Sequence, residues 1–300
     1  AIGTGGRDIK KEVGGIMFIE GLKALIEDEE TDIIVLISKP PDLDVQMKIA
    51  DIVEGTNKPV VSVFLGGNPE IMEKAGALSL FTLEEAALVA VAKSKNEEYE
   101  DVLKVLEERE AEIKKLARKG AQGKKRGQKY IRGLFSGGTL CYETQLILKD
   151  MIGDVHGNAP LKPELKLANS LKSQEHSMID LGEDEFTAGR PHPMIDYSLR
   201  NRRILEEAKD PEVAIILLDV VLGYGSNMEP GKELTPAIKE AKRSAEQDER
   251  HLSIICSITG TDGDPQDREK VERELLDAGA IVIATNAAAS KLAGYMAEQL

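Results

Sequence analysis

Val213-Ala214-Ile215-Ile216-Leu217-Leu218-Asp219 is an apolar run, rich in branched side chains, that ends on a carboxylate. A strand with one wet face alternates apolar and polar residues. A run without alternation has both faces covered, as a strand inside a parallel sheet does. Amphipathic helical patterns flank this run at 199–208 and 233–244. Runs of the same character lie at 32–37, 59–65 and 252–258, and further helical patterns at 42–54, 83–93, 266–277 and 286–297. Asp42 and Thr82 stand as caps at two helix starts. Strand and helix alternate, so the expected class is α/β, with doubly wound parallel sheets.

The order recurs. In the first half, a glycine-rich turn after Ile2 precedes Ile33-Ile34-Val35-Leu36-Ile37, Val60-Val61-Ser62-Val63-Phe64 with Gly66-Gly67, and Gly76-Ala77-Leu78-Ser79-Leu80 before an Ala-rich helix. In the second half, Ile179-Asp180-Leu181-Gly182 precedes the runs at 213–219 and 254–260, then Gly279-Ala280-Ile281-Val282-Ile283 before Asn286-Ala287-Ala288-Ala289. Two similar domains are expected, at 1–95 and 129–300. Residues 96–119 space apolar side chains among dense charge and predict one long connector helix, followed by a basic stretch containing Lys124-Lys125-Arg126. That connector and basic linker occupy 96–128. The linker reads as solvated, with a phosphate-bearing partner as the alternative.

Only the second half has an opening unit: a strand at 130–135, the loop Ser136-Gly137-Gly138-Thr139, and a helix over 140–150. If each half is a five-stranded doubly wound sheet, the first lacks its central strand and exposes two edges. A preceding segment or other subunits are expected to supply it, and the exposed edges predict an oligomer. The opening without Met, on what reads as the end of a strand, agrees with that expectation.

Composition narrows the function classes. Against 39 Lys and Arg stand 53 Asp and Glu, a net charge of -14 that repels nucleic acid and anionic membrane. There is no apolar run of membrane-spanning length and no signal-peptide pattern at the start, so a cytoplasmic protein is expected. Cys141 and Cys256 belong to no metal spacing, and the four histidines show no helical pairing, so no metal site is expected.

Several loops bear on chemistry. Ser136-Gly137-Gly138-Thr139, between a strand and a helix, is either a phosphate cradle or simply a tight turn. It misses the nucleophile-elbow spacing by one residue. Gly3-Thr4-Gly5-Gly6-Arg7-Asp8 and Gly223-Tyr224-Gly225 fail the dinucleotide fingerprint but remain ligand loops at strand ends, and no phosphate loop of the G-x-x-x-x-G-K-[ST] kind exists. Asp262-Gly263-Asp264 reads as a turn, because Arg273 stands where a calcium loop needs a carboxylate. Gly189-Arg190-Pro191-His192-Pro193-Met194-Ile195-Asp196 joins an anion-clamping arginine to a histidine stiffened by two prolines, a combination suited to anion binding with proton transfer. The alternative is a stiff surface loop. Arg200, Arg202 and Arg203 follow, at least one of them read as a surface charge.

The Ser136-to-Glu143 segment resembles the Ser-Gly-Thr-Leu-x-Tyr-Glu turn of succinyl-CoA synthetase alpha subunits. Gly5-Gly6-Arg7-Asp8, Val13-Gly14-Gly15, Ser38-Lys39-Pro40-Pro41, Ile179-Asp180-Leu181-Gly182, the Gly189-to-Asp196 loop and Leu218-Asp219-Val220-Val221-Leu222-Gly223-Tyr224-Gly225 together resemble the FdrA family over nearly the whole chain. The resemblance implies an acyl-CoA-synthetase-like protein of the succinyl-CoA ligase superfamily, with two flavodoxin-like domains after a CoA-binding-type domain. In the synthetases a histidine loop is phosphorylated during turnover; after Gly66-Gly67 this chain runs Asn68-Pro69-Glu70 with no histidine.

FdrA-like proteins are also associated with an oxamate carbamoyltransferase, which interconverts oxalurate and phosphate with oxamate and carbamoyl phosphate. That resemblance implies phosphate on Ser136, Gly137, Gly138 and Thr139, the substrate carboxylate on Arg190, and proton transfer on His192. It implies further substrate contacts at Gly5, Gly6, Arg7, Lys39, Gly223, Tyr224 and Gly225. The ligands expected are a small anionic substrate and phosphate or a phosphate ester, with CoA an open candidate and no firm cofactor. An ATP-dependent acyl-CoA synthetase and a non-catalytic ligand-sensing subunit are the alternatives.

Overall fold

A computed structural model describes all residues, 1–300, and the chain divides into two compact units, Ala1–Glu108 and Arg109–Leu300.

The first unit contains α1 (Ile16–Glu27), β1 (Ile34–Ser38), α2 (Leu43–Glu54), β2 (Val60–Phe64), α3 (Glu70–Lys74), β3 (Leu78–Ser79) and α4 (Leu83–Ser94). Its sheet is parallel, in the order β1-β2-β3. β2 is buried along its whole length, as its unbroken apolar pattern requires, and Leu22, Ile34, Leu36, Val45, Ile49 and Val53 form the core beside it. Asp42 and Thr82 both cap as their positions suggest: Asp42 accepts from the Asp44 N–H, and Thr82 with Glu85 closes a reciprocal capping box. The expected strand ending at Ile2 is not formed; residues 1–5 are irregular. The outer edge of β1 has no strand partner.

α5 (Tyr99–Ala121) carries the chain into the second unit. There follow β4 (Tyr130–Phe135), α6 (Gly138–Ile152), β5 (His156–Gly157), β6 (Ser177–Asp180), α7 (Asp184–Thr187), α8 (Ser198–Lys209), β7 (Val213–Val221), α9 (Pro230–Gln247), β8 (Ser253–Thr259), α10 (Arg268–Asp277), β9 (Ile281–Ile283) and α11 (Asn286–Ala297). The strands are all parallel, ordered β5-β6-β4-β7-β8-β9, one more than the five expected because the two-residue β5 pairs onto β6. The turn in order lies at β4, whose neighbours are β6 and β7, and ligands of open α/β sheets bind at such a reversal.

β7 explains why its run has no alternation. Ile216, Leu218 and Val220 join Ile204, Leu234 and Ile238 in one core layer, while Ile215 and Leu217 join Cys141, Leu148, Ala288 and Leu292 in the other. Each face is covered by helices. α6 and α11 run in the same direction, because Thr144 meets Ser290 near their starts and Gly294 packs on Met151 near their ends. Both helices therefore present their N-termini at the C-terminal end of the sheet.

Within the basic stretch Lys125 and Arg126 are exposed, as a solvated linker requires, but Lys124 and Gln128 are not. The Lys124 ammonium donates to the carbonyl oxygens of Ala214 and His251 at 3.0 Å each and to Ser253 Oγ at 2.9 Å, while Gln128 Nε2 donates to the carbonyls of Val213 and His251. The side chains close the N-terminal ends of β7 and β8, where main-chain acceptors would otherwise be unpaired.

Candidate functional site

The chain leaves β4 at Phe135 and turns through Ser136 and Gly137 into α6. Asp219, near the end of the adjacent β7, reaches across to this turn. Its carboxylate accepts from the Ser136 N–H at 2.8 Å and from the Ser136 hydroxyl. From α8, Arg200 Nη1 donates to Asp219 Oδ1 at 2.9 Å and to the Asp219 carbonyl at 2.6 Å, and its guanidinium lies over the Tyr197 ring. The Asp219 and Arg200 side chains are fully buried. Two charges in such a place are tolerable only when paired and hydrogen-bonded, which here fixes the floor under the loop. Arg203 is also buried, on Glu207, Ser170 and Ser173; Arg202 alone of the three is exposed.

The first N–H groups of a helix have no intrahelical acceptor. Gly137, the residue before α6, offers no side-chain cap, and the first turn of α6 holds no acidic residue. The N–H groups at Gly138 and Thr139 thus face outward at the positive end of a four-turn helix, a ready anion site. Ser136 contributes differently: both its donors are engaged by Asp219. The first unit gives a contrast. The buried Asp8 carboxylate accepts from the N–H groups of Met17 (3.0 Å) and Phe18 (2.8 Å), so the N-terminus of α1 is already neutralised by the chain's own anion.

His192 lies on the loop between α7 and α8. Its Nδ1 accepts from the Met194 N–H at 3.2 Å, and its carbonyl accepts from Ile195 and Asp196. A methyl group at Gly182 would stand 3.1 Å from His192 Nε2, 2.9 Å from the Ser136 carbonyl oxygen and 3.1 Å from Asp180 Oδ1. His192 is therefore brought to the ends of β4 and β6. Burial lowers its pKa, against the attraction of the Asp219 carboxylate. Arg190 is exposed on the same loop.

The loop after β7 is stitched to that of His192. Asn227 donates from its N–H to the Met194 carbonyl (2.8 Å) and from Nδ2 to the Ile195 carbonyl (2.9 Å). Gln266 holds Gly223 at both its N–H and its carbonyl. Gly223 (φ 137°) and Gly225 (φ 84°) occupy backbone that favours glycine, and Tyr224 between them is 87% exposed.

Residues 134–296, which hold this whole arrangement, match the CoA-ligase family. The chain belongs to the CoA-ligase family. An Escherichia coli (strain K12) relative, the uncharacterized protein YahF, is 41% identical over 286 residues, covering 95% of this chain and 54% of that protein. The chain thus spans about half the length of this curated relative. Two solved structures are similar at low identity. One is a protein from Pyrococcus horikoshii OT3 (15% identical, TM-score 0.37, covering 94% of this chain and 55% of that one). The other is a dinucleotide-forming acetyl-coenzyme A synthetase from Ca. Korarchaeum cryptofilum in complex with phosphate and ADP (14%, TM-score 0.39, 93% and 55%). The α/β class with parallel sheets accords with a succinyl-CoA synthetase-like CoA-ligase protein.

The remaining sequence-derived site residues of this CoA-ligase family chain, Gly5, Gly6, Arg7 and Lys39, lie in the first unit. There the Asp42 N–H bonds the Ile9 carbonyl at 3.0 Å and ties the glycine turn to the turn holding Lys39. A pocket of about 50 Å³ opens at the end of β2, lined by Ser62, Phe64, Gly67, Asn68 and Ser79. Sequence reading missed Asp219, Arg200, Asn227 and Gln266. A carboxylate closing an apolar run was the only visible signal, and it pointed to Asp219.

Proposed function

We infer that the protein is an FdrA-like member of the succinyl-CoA ligase superfamily that performs acyl-type transfer involving phosphate, with carbamoyl as the group transferred. The observation that carries this reading is the open first turn of α6: N–H groups at Gly138 and Thr139 with no side-chain cap, on a loop held from beneath by Asp219 and Arg200, with His192 and Arg190 on the neighbouring loop. Phosphate fits the helix N-terminus, and a carboxylate-bearing donor fits the fork of Arg190. CoA, further subunits and a cytoplasmic setting are parts of the proposal; no helix of the chain is long and apolar enough to cross a membrane. The loop after β2 has no histidine, which favours direct transfer to phosphate over a phosphohistidine relay.

Phosphorus NMR of the full-length protein with its subunits tests this. Consumption of carbamoyl phosphate with oxamate, matched by phosphate and oxalurate, supports carbamoyl transfer. Conversion of ATP to ADP only with CoA and succinate together would replace it with the acyl-CoA synthetase reading, and inactivity with tight phosphate-ester binding would favour a sensor.

A further inference from the structure

We propose that His192 works as a neutral imidazole donating a hydrogen bond from Nε2 to the carbonyl oxygen that gains charge during transfer, and not as a proton acceptor. This rests on the transfer reading above and specifies how that site acts.

The tautomer follows from the turn. His192 Nδ1 accepts the Met194 N–H at 3.2 Å, so the single proton of the neutral ring belongs on Nε2. Protonating Nδ1 would set N–H against N–H. The turn has little freedom to relieve that clash, because several restraints act on the same residues. Pro191 and Pro193 fix φ on either side of the histidine, the His192 carbonyl holds the N–H groups of Ile195 and Asp196, and Asn227 holds the carbonyls of Met194 and Ile195. The charged groups nearby are Asp219 from β7, already shared between Ser136 and Arg200, and Asp180 from β6, which accepts from the Gly182 N–H at 2.9 Å. Partial burial also disfavours the imidazolium. Nε2 then faces the space over Gly182, a residue whose missing side chain leaves room between it and the Ser136 carbonyl.

The chemistry does not require a protein base. A phosphate oxygen attacks the carbamoyl carbon of the donor, and a C–O bond forms as the C–N bond breaks. The electron pair of that bond stays on nitrogen. The proton carried by the attacking hydrogen phosphate ends on that nitrogen, giving oxamate and carbamoyl phosphate. The protein's contribution is a fixed donor at the oxygen where charge develops, which is where preorganised hydrogen bonds count most.

Two measurements test the proposal. In the full-length protein, His192→Gln, whose amide N–H can replace Nε2–H, should keep turnover within about tenfold, while His192→Ala should lose about 10²–10³-fold. Equal losses for both would overturn the donor role. Long-range ¹H–¹⁵N spectra of histidine-labelled protein should show His192, one of four histidines, as the Nε2–H tautomer and neutral at the pH of the activity assay. The Nδ1–H tautomer, or an imidazolium at that pH, overturns the proposal whatever the activity. An Nε2–H tautomer in a protein without any transfer activity would instead overturn the transfer reading.

Discussion

Asp219 takes up both hydrogen-bond donors of Ser136, the main-chain N–H at 2.8 Å and the hydroxyl, from a fully buried position at the end of β7. The loop that opens α6 is thus shaped by a neighbouring strand rather than by its own glycines. The same carboxylate balances Arg200, so one buried charge serves both the loop conformation and the packing of α8.

Replacing that carboxylate separates the two services. In Asp219→Asn the guanidinium of Arg200 stays buried without a counter-charge, and stability should fall by about 3–5 kcal/mol. In Ser136→Ala one hydroxyl donor is lost and the ion pair survives, for about 1–2 kcal/mol. Urea unfolding of both variants checks this, and equal costs would contradict the central place given to the ion pair.

Gly182 and Gly137 should respond differently to alanine. A Cβ on Gly182 meets the Ser136 carbonyl oxygen at 2.9 Å and His192 Nε2 at 3.1 Å, so Gly182→Ala should cost about 1–3 kcal/mol and push the His192 loop outward, lowering turnover. Gly137 is extended and a Cβ there meets nothing within 4 Å, so Gly137→Ala should leave stability within about 0.5 kcal/mol. Thermal melts and activity of the pair decide it.

What the sequence disclosed and what it hid divide on physical lines. Buried parallel strands show as unbroken apolar runs, so β2, β7 and β8 were legible, and so were helices with polar caps such as α4. α1 was not read, because its cap is not a side chain on the preceding residue but Asp8, several positions upstream. β5 has two residues and no pattern of its own. At the site, Gly137, Gly138 and His192 declared themselves by composition. The Arg200, Asn227 and Gln266 contacts join residues far apart in sequence, and nothing local marks which polar side chain will find a buried partner. Lys124 was misread for the same reason: a lysine among lysines looks solvated until the fold brings carbonyls to it.

Arg190 offers a test of the carboxylate clamp. Arg190→Lys keeps the charge but loses the planar fork, so the KM for a carboxylate-bearing donor should rise about tenfold or more with kcat little changed. Steady-state kinetics with oxalurate and with its uncharged amide would show the difference collapsing for the amide.

His176 predicts the acid limb of stability. Its pKa is lowered to about 4, first by burial and then by the Arg132 charge, with Glu175 opposing, and Nδ1 accepts from the Ile131 N–H. The unfolded chain takes up this proton near 6.5. Between pH 6.5 and 4 the unfolded state therefore holds more proton, and stability drops as pH falls through that window. His176→Asn keeps an acceptor for Ile131 and should flatten that part of the pH–stability curve, measured by urea midpoints from pH 4 to 7.

Lys124 predicts the alkaline limb with the same sign of slope, stability rising with pH. Burial first, and Lys242 second, lower its pKa to about 8, whereas in the unfolded chain a lysine loses its proton near 10.4. Below pH 8 both states carry the charge and the contribution is constant. Between pH 8 and about 10.4 the native state has released the proton and the unfolded state has not, so stability should rise with pH across this window. The amine is not a passive occupant, since its three bonds satisfy Ala214, His251 and Ser253. Lys124→Met should therefore do two things at once: lower stability at pH 7 by about 1–3 kcal/mol through the orphaned carbonyls, and abolish the rise above pH 8. Urea midpoints of the two proteins from pH 7 to 10 separate the effects. A variant that lost stability yet kept the alkaline rise would assign the rise to another group, with Lys242, whose pKa burial also lowers, the next to replace.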